Sequence, residues 1–431
     1  MGRGGARPQP DDTTAEWTSD VAGALDGIRV VDFSRVFAGP AATQILGDLG
    51  ADVVKVEAPL GGDEARYLGL TEGTEPRLGV SPSFLALNRN KRSIALDLGS
   101  EAGREVARKL LTQCDIAVHN FRPGAMRKWQ LDYDSLSDAN PGLIYGEFYA
   151  YGPSGPLSEI GANDLALQAH SGLMSLTGEP GRPPVRIGTA AVDLHGSLAL
   201  VGAVLAALYS RTQTGKGQRI EASLLLSSAH LMNYFYSEYW IDGTVRKPMG
   251  TANHLSVPNQ VFPTADGSVV IIAPSDAMWQ RCAQALDAER LAIPRYKTVR
   301  DRQTHRTEVI EAIAAVTRQL SSQEVIERLG PVKVNVAKVN NAGEAAEHPQ
   351  LAESGGVTEF AYAGETVKAV SSPFRLTGTP AETRHAPPLL DQHRDEILAD
   401  YGLAPDEIRR LAEAGAFSEG SGPERKVAKA G

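Results

Sequence analysis

Two carboxylates and two basic loops carry the side chains most able to do chemistry. The first carboxylate is Asp164, in Gly161-Ala-Asn-Asp-Leu-Ala-Leu-Gln-Ala-His-Ser-Gly172. It opens an apolar helical stretch after a Gly-Pro loop, so capping the helix is its simplest role. A carboxylate at a helix start is also held ionised by the local dipole. In that form it can attack an activated acyl group and form a covalent intermediate. Asp193 and His195, in Gly188-Thr-Ala-Ala-Val-Asp-Leu-His195, precede a second helix. There they read as a cap and a helix-face histidine before they read as an acid and a base. The basic loops are Leu87-Asn-Arg-Asn-Lys-Arg-Ser93 and Asn120-Phe-Arg-Pro-Gly124, the latter followed by Lys128-Trp129. Such donors suit a phosphate or pyrophosphate, though the first loop could equally be a solvated turn and the second a helix-capping one. In the second, Phe121 or Trp129 could lie beside a base.

The elements that must position these groups alternate. Ile28–Phe33 reads as a strand, Pro40–Leu49 as a helix closed by Gly50, and Ala51–Glu57 as a strand. Ser93–Leu96 is a further strand, Ser100 caps a helix running through Leu111, and Ile116–His119 and Leu143–Phe148 continue the pattern. Strands separated by helices imply βαβ units and a parallel sheet, an α/β fold. Loops beyond the carboxyl ends of such strands are where ligands bind. A long apolar helix follows over 194–209. Asp266-Gly267, between Val261-Phe-Pro-Thr264 and Ser268-Val-Val-Ile-Ile272, then signals a hairpin. The expected organisation is a disordered arm over 1–24 and a large domain from 25 to 224. A smaller α+β domain spans 225–330, residues 331–417 form a linker and a return to the large domain, and 418–431 a flexible tail.

Composition narrows the partners. Of 431 residues, 43 are Lys or Arg and 52 are Asp or Glu, a formal net charge of −9. That balance argues against nucleic acid or an anionic membrane as the main partner, so an anionic ligand must be met by local basic groups. The two cysteines, Cys114 and Cys282, make no disulfide scaffold or metal spacing, and no metal site is expected. No apolar run approaches a spanning length of about 20 residues, and the first 20 residues lack an apolar signal core. The expectation is a cytoplasmic protein with no membrane partner. There is no G-x-G-x-x-G after the first strand, no Walker loop, no H-E-x-x-H and no G-x-S-x-G.

Taken in order, these segments resemble the family III coenzyme A transferases, the group with formyl-CoA and carnitine-type CoA transferases. The resemblance rests on Leu25–Phe33, Ala38-Gly-Pro40, Leu49–Glu57, Asn88–Ser93, Asn120–Gly124, Asp164 with Gln168-Ala and Ser171-Gly, and Gln260–Gly267. It extends through Glu347-His-Pro-Gln350 and 391–402, covering about residues 25–415. It implies a Rossmann-like large domain plus a small one, with two chains interlocked as rings in a homodimer. It implies that Asp164 attacks an acyl-CoA thioester, giving a mixed anhydride and then an aspartyl-CoA thioester that an acceptor carboxylate opens. Coenzyme A or acyl-CoA would be substrate, with no tightly bound cofactor. Its contacts would fall on Val36, Ala38, Leu96, Asn120, Phe121 and Lys128, with Arg89, Lys91 and Arg92 as phosphate candidates. Ala58 and Gly99 stand where family members often carry basic residues, and Met249-Gly-Thr-Ala-Asn253 has one glycine where a shielding loop is glycine-rich. Phe37 replaces a glutamine of oxalate-linked members, suggesting an acyl group bulkier and less polar than formate or oxalate. Tyr149, Tyr151, Met232, Tyr234 and Tyr236 are candidate pocket walls with it.

The rival reading is a 2-methylacyl-CoA racemase of the same fold, with Asp193 as a second acid/base. A racemase needs two groups flanking the α-carbon. Asn163 stands where those enzymes carry a histidine, and an amide cannot take that proton.

Overall fold

The computed structural model describes residues 23–69 and 77–417; the expected arm, but for its last two residues, and the tail lie outside them. Six strands form one parallel sheet: β1 Arg29–Asp32, β2 Asp52–Glu57, β3 Lys91–Ala95, β4 Ile116–His119, β5 Ile144–Tyr149 and β6 Arg219–Ser223. Their order is β3-β2-β1-β4-β5-β6, the doubly wound arrangement in which ligands sit where the order reverses, between β1 and β4. Val30, Val31, Val53 and Val54 are buried, as β-branched residues in a sheet covered on both faces should be.

Helix α1 (Ala38–Asp48) starts two residues before the expected Pro40, and Gly50 follows its end with φ +112°. Ser100 caps α2 (Glu101–Leu111), its Oγ accepting from Gly103 N at 2.9 Å. Then come α3 (Asp164–His170), α4 (Ala191–Thr214), α5 (Leu224–Leu231) and α6 (Asn233–Asp242). One face of the sheet is packed with Val106, Leu110, Leu111 and Tyr145 of the first core. The other carries Leu46, Leu167, Leu200, Val201 and Val204, so α1, α3 and α4 share a core. By length and composition α4 could cross a membrane (24 residues, mean hydropathy 1.8 over its most apolar window), in contrast to the expectation of no such run.

The hairpin forms as expected: β7 (Asn259–Pro263) pairs antiparallel with β8 (Ser268–Ile272). A third strand, β9 (Asn335–Lys338), pairs with β8. Helices α7 (Asp276–Leu291), α8 (Arg306–Thr317) and α9 (Ser322–Leu329) close a separate core around Phe262, Trp279, Ile313 and Val325. The packing boundaries differ from 225 and 330. Leu225 and Leu231 pack against the α4 core, whereas β9 extends the small sheet past 330 by pairing with the free edge of β8. Beyond residue 380 the chain meets the large sheet again: Arg384 Nη2 donates to Gly47 O at 2.9 Å, His393 N to Ser93 O at 3.0 Å, and Ile397, Leu398 and Tyr401 enter the first core.

Candidate active site

At the carboxyl ends of β1, β4 and β5 lies a cleft of about 620 Å³. Its walls include Arg35, Asn120, Phe121, Arg122 and Tyr149, and it runs along Asn163 and Ala166, which flank Asp164. The β1 loop and the β4 loop are tied together: Arg35 N donates to Asn120 Oδ1 at 2.9 Å, and Asn120 Nδ2 to Arg35 O at 2.7 Å. Arg35 lies over the Phe121 ring, 5.2 Å from its centroid. The Arg122 guanidinium lies across Gly161, where a Cβ would come within 3.0 Å of Nη2.

The β1 loop is held from beneath by buried charge. Asp32 accepts from Ser34 N at 2.8 Å, from Ser34 Oγ, and from Thr43 Oγ1 at 2.6 Å. Lys55 Nζ donates to Ser34 O and to Asp63, both at 2.9 Å, and Asp63 accepts from Val36 N at 3.0 Å. These bonds hold Val36 at φ +70°, a conformation that costs a β-branched residue strain unless its surroundings fix it. Lys91 completes the set, donating to Asp32 at 3.1 Å and Pro40 O at 2.9 Å. Burial opposes the charge on Asp32, but Lys91, Lys55 and the hydroxyl donors prevail and hold it at about 2. Burial dominates at Lys91 and lowers it to about 8.

Three expected phosphate ligands are therefore committed elsewhere. Lys91 is spent on Asp32; Arg89 is buried against Asp48, with Nη2 to Oδ2 at 2.6 Å. Arg92 pairs with Asp52, Glu396 and Asp400, and Asp52 starts β2, at the end of the sheet away from the cleft. Leu96 is 2% exposed, with its side chain in the first core. Asn120 and Phe121 line the cleft, with Val36 and Ala38 in the loop beside Arg35. Lys128 is exposed at the end of a short helix, outside the cleft lining. Of the proposed pocket walls, Tyr149 lies in the cleft. Met232 and Tyr236 line a separate apolar pocket of about 340 Å³ with Phe235, Tyr239 and Trp240.

Asp164 does not cap its own helix. That position belongs to Asn163, whose Oδ1 accepts from Ala166 N at 3.2 Å. Asp164, the first residue of α3, turns to the start of α4, where Ala190 offers no side-chain cap. Its Oδ2 accepts from Val192 N at 2.8 Å and Asp193 N at 3.2 Å. Its Oδ1 accepts from Gln168 Nε2, one turn along α3, and Gln168 Oε1 accepts from Ile187 N at 2.9 Å. Spacing could have shown this partner, since residues four apart share a helix face. The Asp193 carboxyl lies in the first turn of α4, and burial, then Asp164, push it up to about 7. Neither aspartate has an ion-pair partner among the described residues. His195 turns elsewhere, with Nδ1 2.9 Å from Ser227 Oγ and Nε2 3.1 Å from His230 Nδ1. No cluster of three or more metal-ligating side chains occurs among the described residues.

A doubly wound sheet with a cleft at its switch point is a ligand-binding frame, and on the adjoining helix it carries a carboxylate with no ion-pair partner among the described residues. The model of CoA-transferase family III matches residues 25–394, and the chain belongs to that family, as an acyl-CoA:carboxylate CoA-transferase. It is 34% identical to the succinate–glutarate CoA-transferase of Agrobacterium fabrum, over 87% of this chain and 95% of that enzyme. It is 33% identical to the succinyl-CoA:mesaconate CoA-transferase of Haloarcula hispanica, over 88% of this chain and 97% of that one. The crystal structure of a CAIB/BAIF family protein from Brucella suis superposes with a TM-score of 0.79 at 32% identity, covering 88% of this chain and 100% of that chain.

Proposed function

We propose that Asp164 is the nucleophile of this transferase and that both acids are small dicarboxylates. The observation that carries the reading is the Asp164 carboxylate, fixed by amide donors beside the cleft and paired with no cation among the described residues. Its Oδ1 would attack the donor thioester, forming an acyl–aspartyl anhydride and releasing CoA thiolate. The thiolate attacks Cγ, giving aspartyl-CoA and the free donor acid. The acceptor carboxylate then displaces the thiolate, which attacks the new acyl carbon and leaves as product. A thioester is activated enough to need no strong base; it needs position, oxyanion stabilisation and dryness. Asn163 spends its amide oxygen on a helix cap, which disfavours α-proton transfer.

The names of the two relatives support succinyl-CoA with a five-carbon dicarboxylate as the first pair to try. Asn120 and Phe121, with the loop of Val36 and Ala38, would hold CoA, and Arg35, Arg122 and Lys128 would meet its phosphates. An interlocked homodimer is proposed on the exposed stripe of Leu194, Leu198, Leu205 and Tyr209 along α4 and on Tyr234, Tyr239, Trp240 and Ile241 of α6. Its mass in solution should be twice that of the chain. Two free buried thiols, Cys114 and Cys282, fit a reducing, cytoplasmic setting.

The test is a panel of acyl-CoA donors and carboxylate acceptors read by mass spectrometry, with hydroxylamine trapping on donor alone. The adduct should map to Asp164. Asp164→Ala and Asp164→Asn should both lose transfer by at least about 10³-fold while staying folded. Unaltered turnover in either variant would refute the assignment.

A further inference from the structure

We propose that the backbone amides of Val192 and Asp193 are the oxyanion site for the steps at Asp164 Cγ, so that Oδ2 stays seated through the catalytic cycle while only the Oδ1 position changes its atom. The inference rests on the covalent aspartyl reading and goes beyond it, because it distinguishes the two oxygens of one carboxylate.

The two oxygens occupy different seats. Oδ2 takes two main-chain donors at 2.8 and 3.2 Å, from the open end of a 24-residue helix whose N-cap residue supplies no side chain. Oδ1 takes one side-chain donor, Gln168, which is 1% exposed and oriented by Ile187 N. A half-turn of the carboxylate would have to break all three bonds together. Only Oδ1 is free of main-chain donors and can make the new bond to carbon.

The bond changes then fall in order. Oδ1 bonds to the donor acyl carbon and the C–S bond breaks, with charge developing on the substrate carbonyl, away from α4. Next the thiolate sulfur bonds to Cγ and the C=O electron pair moves onto Oδ2. The pair returns as the Cγ–Oδ1 bond breaks, and Oδ1 departs within the donor acid. An oxygen of the acceptor carboxylate bonds to Cγ, again charging Oδ2, and the thiolate leaves. The thiolate finally attacks the acceptor's acyl carbon, and the C–O bond broken there leaves the acceptor's oxygen in the Oδ1 seat. In both middle steps the negative charge grows on the atom that already faces two N–H groups near the 2.7–3.1 Å an oxyanion requires. The helix start adds its partial positive charge there. Preorganised donors at that atom lower these two barriers, whereas in the first and last steps they face the free carboxylate and serve to hold it in place.

The experiment is multiple turnover of the whole enzyme with succinyl-CoA and glutarate carrying oxygen-18 in all carboxylate positions. Should another pair from the panel turn over faster, it is used with the same labelling. Proteolysis and mass spectrometry then count heavy oxygens on the Asp164 peptide. A count that reaches one per chain and stays there through many turnovers is the expected result. A count that climbs to two shows that the carboxylate rotates, and overturns the proposal while leaving the aspartyl pathway intact. Turnover with no label at Asp164 removes both. Val192→Pro, read against Val192→Ala, supplies the second measurement: the first turn of a helix tolerates proline, and the pair separates loss of the N–H from loss of the buried Val192 side chain. CoA release from donor alone should remain, aspartyl-CoA formation should slow about 10²–10³-fold, and more donor should be lost to hydrolysis of the stalled anhydride. Aspartyl-CoA formation at the normal rate in the proline variant, folded and active in the first step, would exclude the amide from the role.

Discussion

Two regions of this enzyme are built around carboxylates, one pair fully buried and the other half-buried, and treat them in opposite ways. Beneath the β1 loop, Asp32 faces Lys91 at 3.1 Å and Asp63 faces Lys55 at 2.9 Å, all four side chains fully buried. Across the cleft, Asp164 and Asp193 share the space between α3 and α4, with no cation opposite either one among the described residues. The first region satisfies every charge internally and so can only hold shape. The second leaves an uncompensated carboxylate beside a protonatable one, and that residual demand is what a substrate can meet. A carboxyl pushed up as Asp193 is marks a candidate functional site.

The largest expected effect lies in the paired region. Lys55→Met strands the Asp63 carboxylate and Ser34 O in the interior, and breaking a buried pair in this way costs about 3–5 kcal/mol. The denaturant midpoint should fall accordingly, and removing the carboxylate as well, in Lys55→Met/Asp63→Leu, should recover much of the loss. If the single variant unfolds like the parent, the buried pairs do not hold the loop.

The pH dependence of stability sharpens the contrast, because the signs are opposite. Asp32 sits at about 2 in the fold, below its ordinary 3.8. Its contribution is present above pH 4 and is lost as pH falls toward 2. Asp193 sits at about 7, above the same ordinary value. Its contribution is present below pH 4 and is lost as pH rises toward 7. Asp193→Asn should therefore gain stability relative to the parent between pH 4 and 7, with the difference flat above 8. Asp32→Asn should lose most relative to the parent above pH 4. Thermal unfolding of the three proteins across pH 3–9 checks both slopes, and a pH-independent difference for Asp193→Asn would remove that carboxyl from the unpaired class.

What the sequence made legible follows the same division. Local patterns sufficed for β1, β2, β4 and β5, for the Ser100 cap and for the Asp266-Gly267 hairpin, since propensity and turn chemistry act over a few residues. Asp164 was visible as a carboxylate at a helix start. Its partners were not, because Val192 and Asp193 reach it across 28 and 29 residues through main-chain atoms that leave no mark in residue type. The pairing of the basic loop was hidden for a related reason. Arg89, Lys91 and Arg92 look like anion ligands until Asp48, Asp32, Asp52 and Glu396 are brought to them by the fold, and a sequence does not display which charges are already neutralised. Asn163 was read as a missing base, whereas in the fold it is the N-cap of α3, its Oδ1 accepting from Ala166 N.

The smallest expected effect tests which arginines remain available. Arg122 is exposed, lies over Gly161 and makes no ion pair among the described residues, whereas the Arg92 side chain is 15% exposed and faces three carboxylates. Arg122→Ala should leave the unfolding midpoint within about 0.5 kcal/mol of the parent, as surface changes usually do. It should weaken CoA binding about tenfold, a loss of about 1.4 kcal/mol, and the gap should narrow as salt screens the phosphates. Arg92→Ala should do the reverse, lowering stability and leaving CoA affinity unchanged. Calorimetric titration of CoA at two salt concentrations, beside urea unfolding, separates the two. If Arg92→Ala weakens CoA binding and Arg122→Ala does not, internal pairing is not what decides which basic residues meet the ligand.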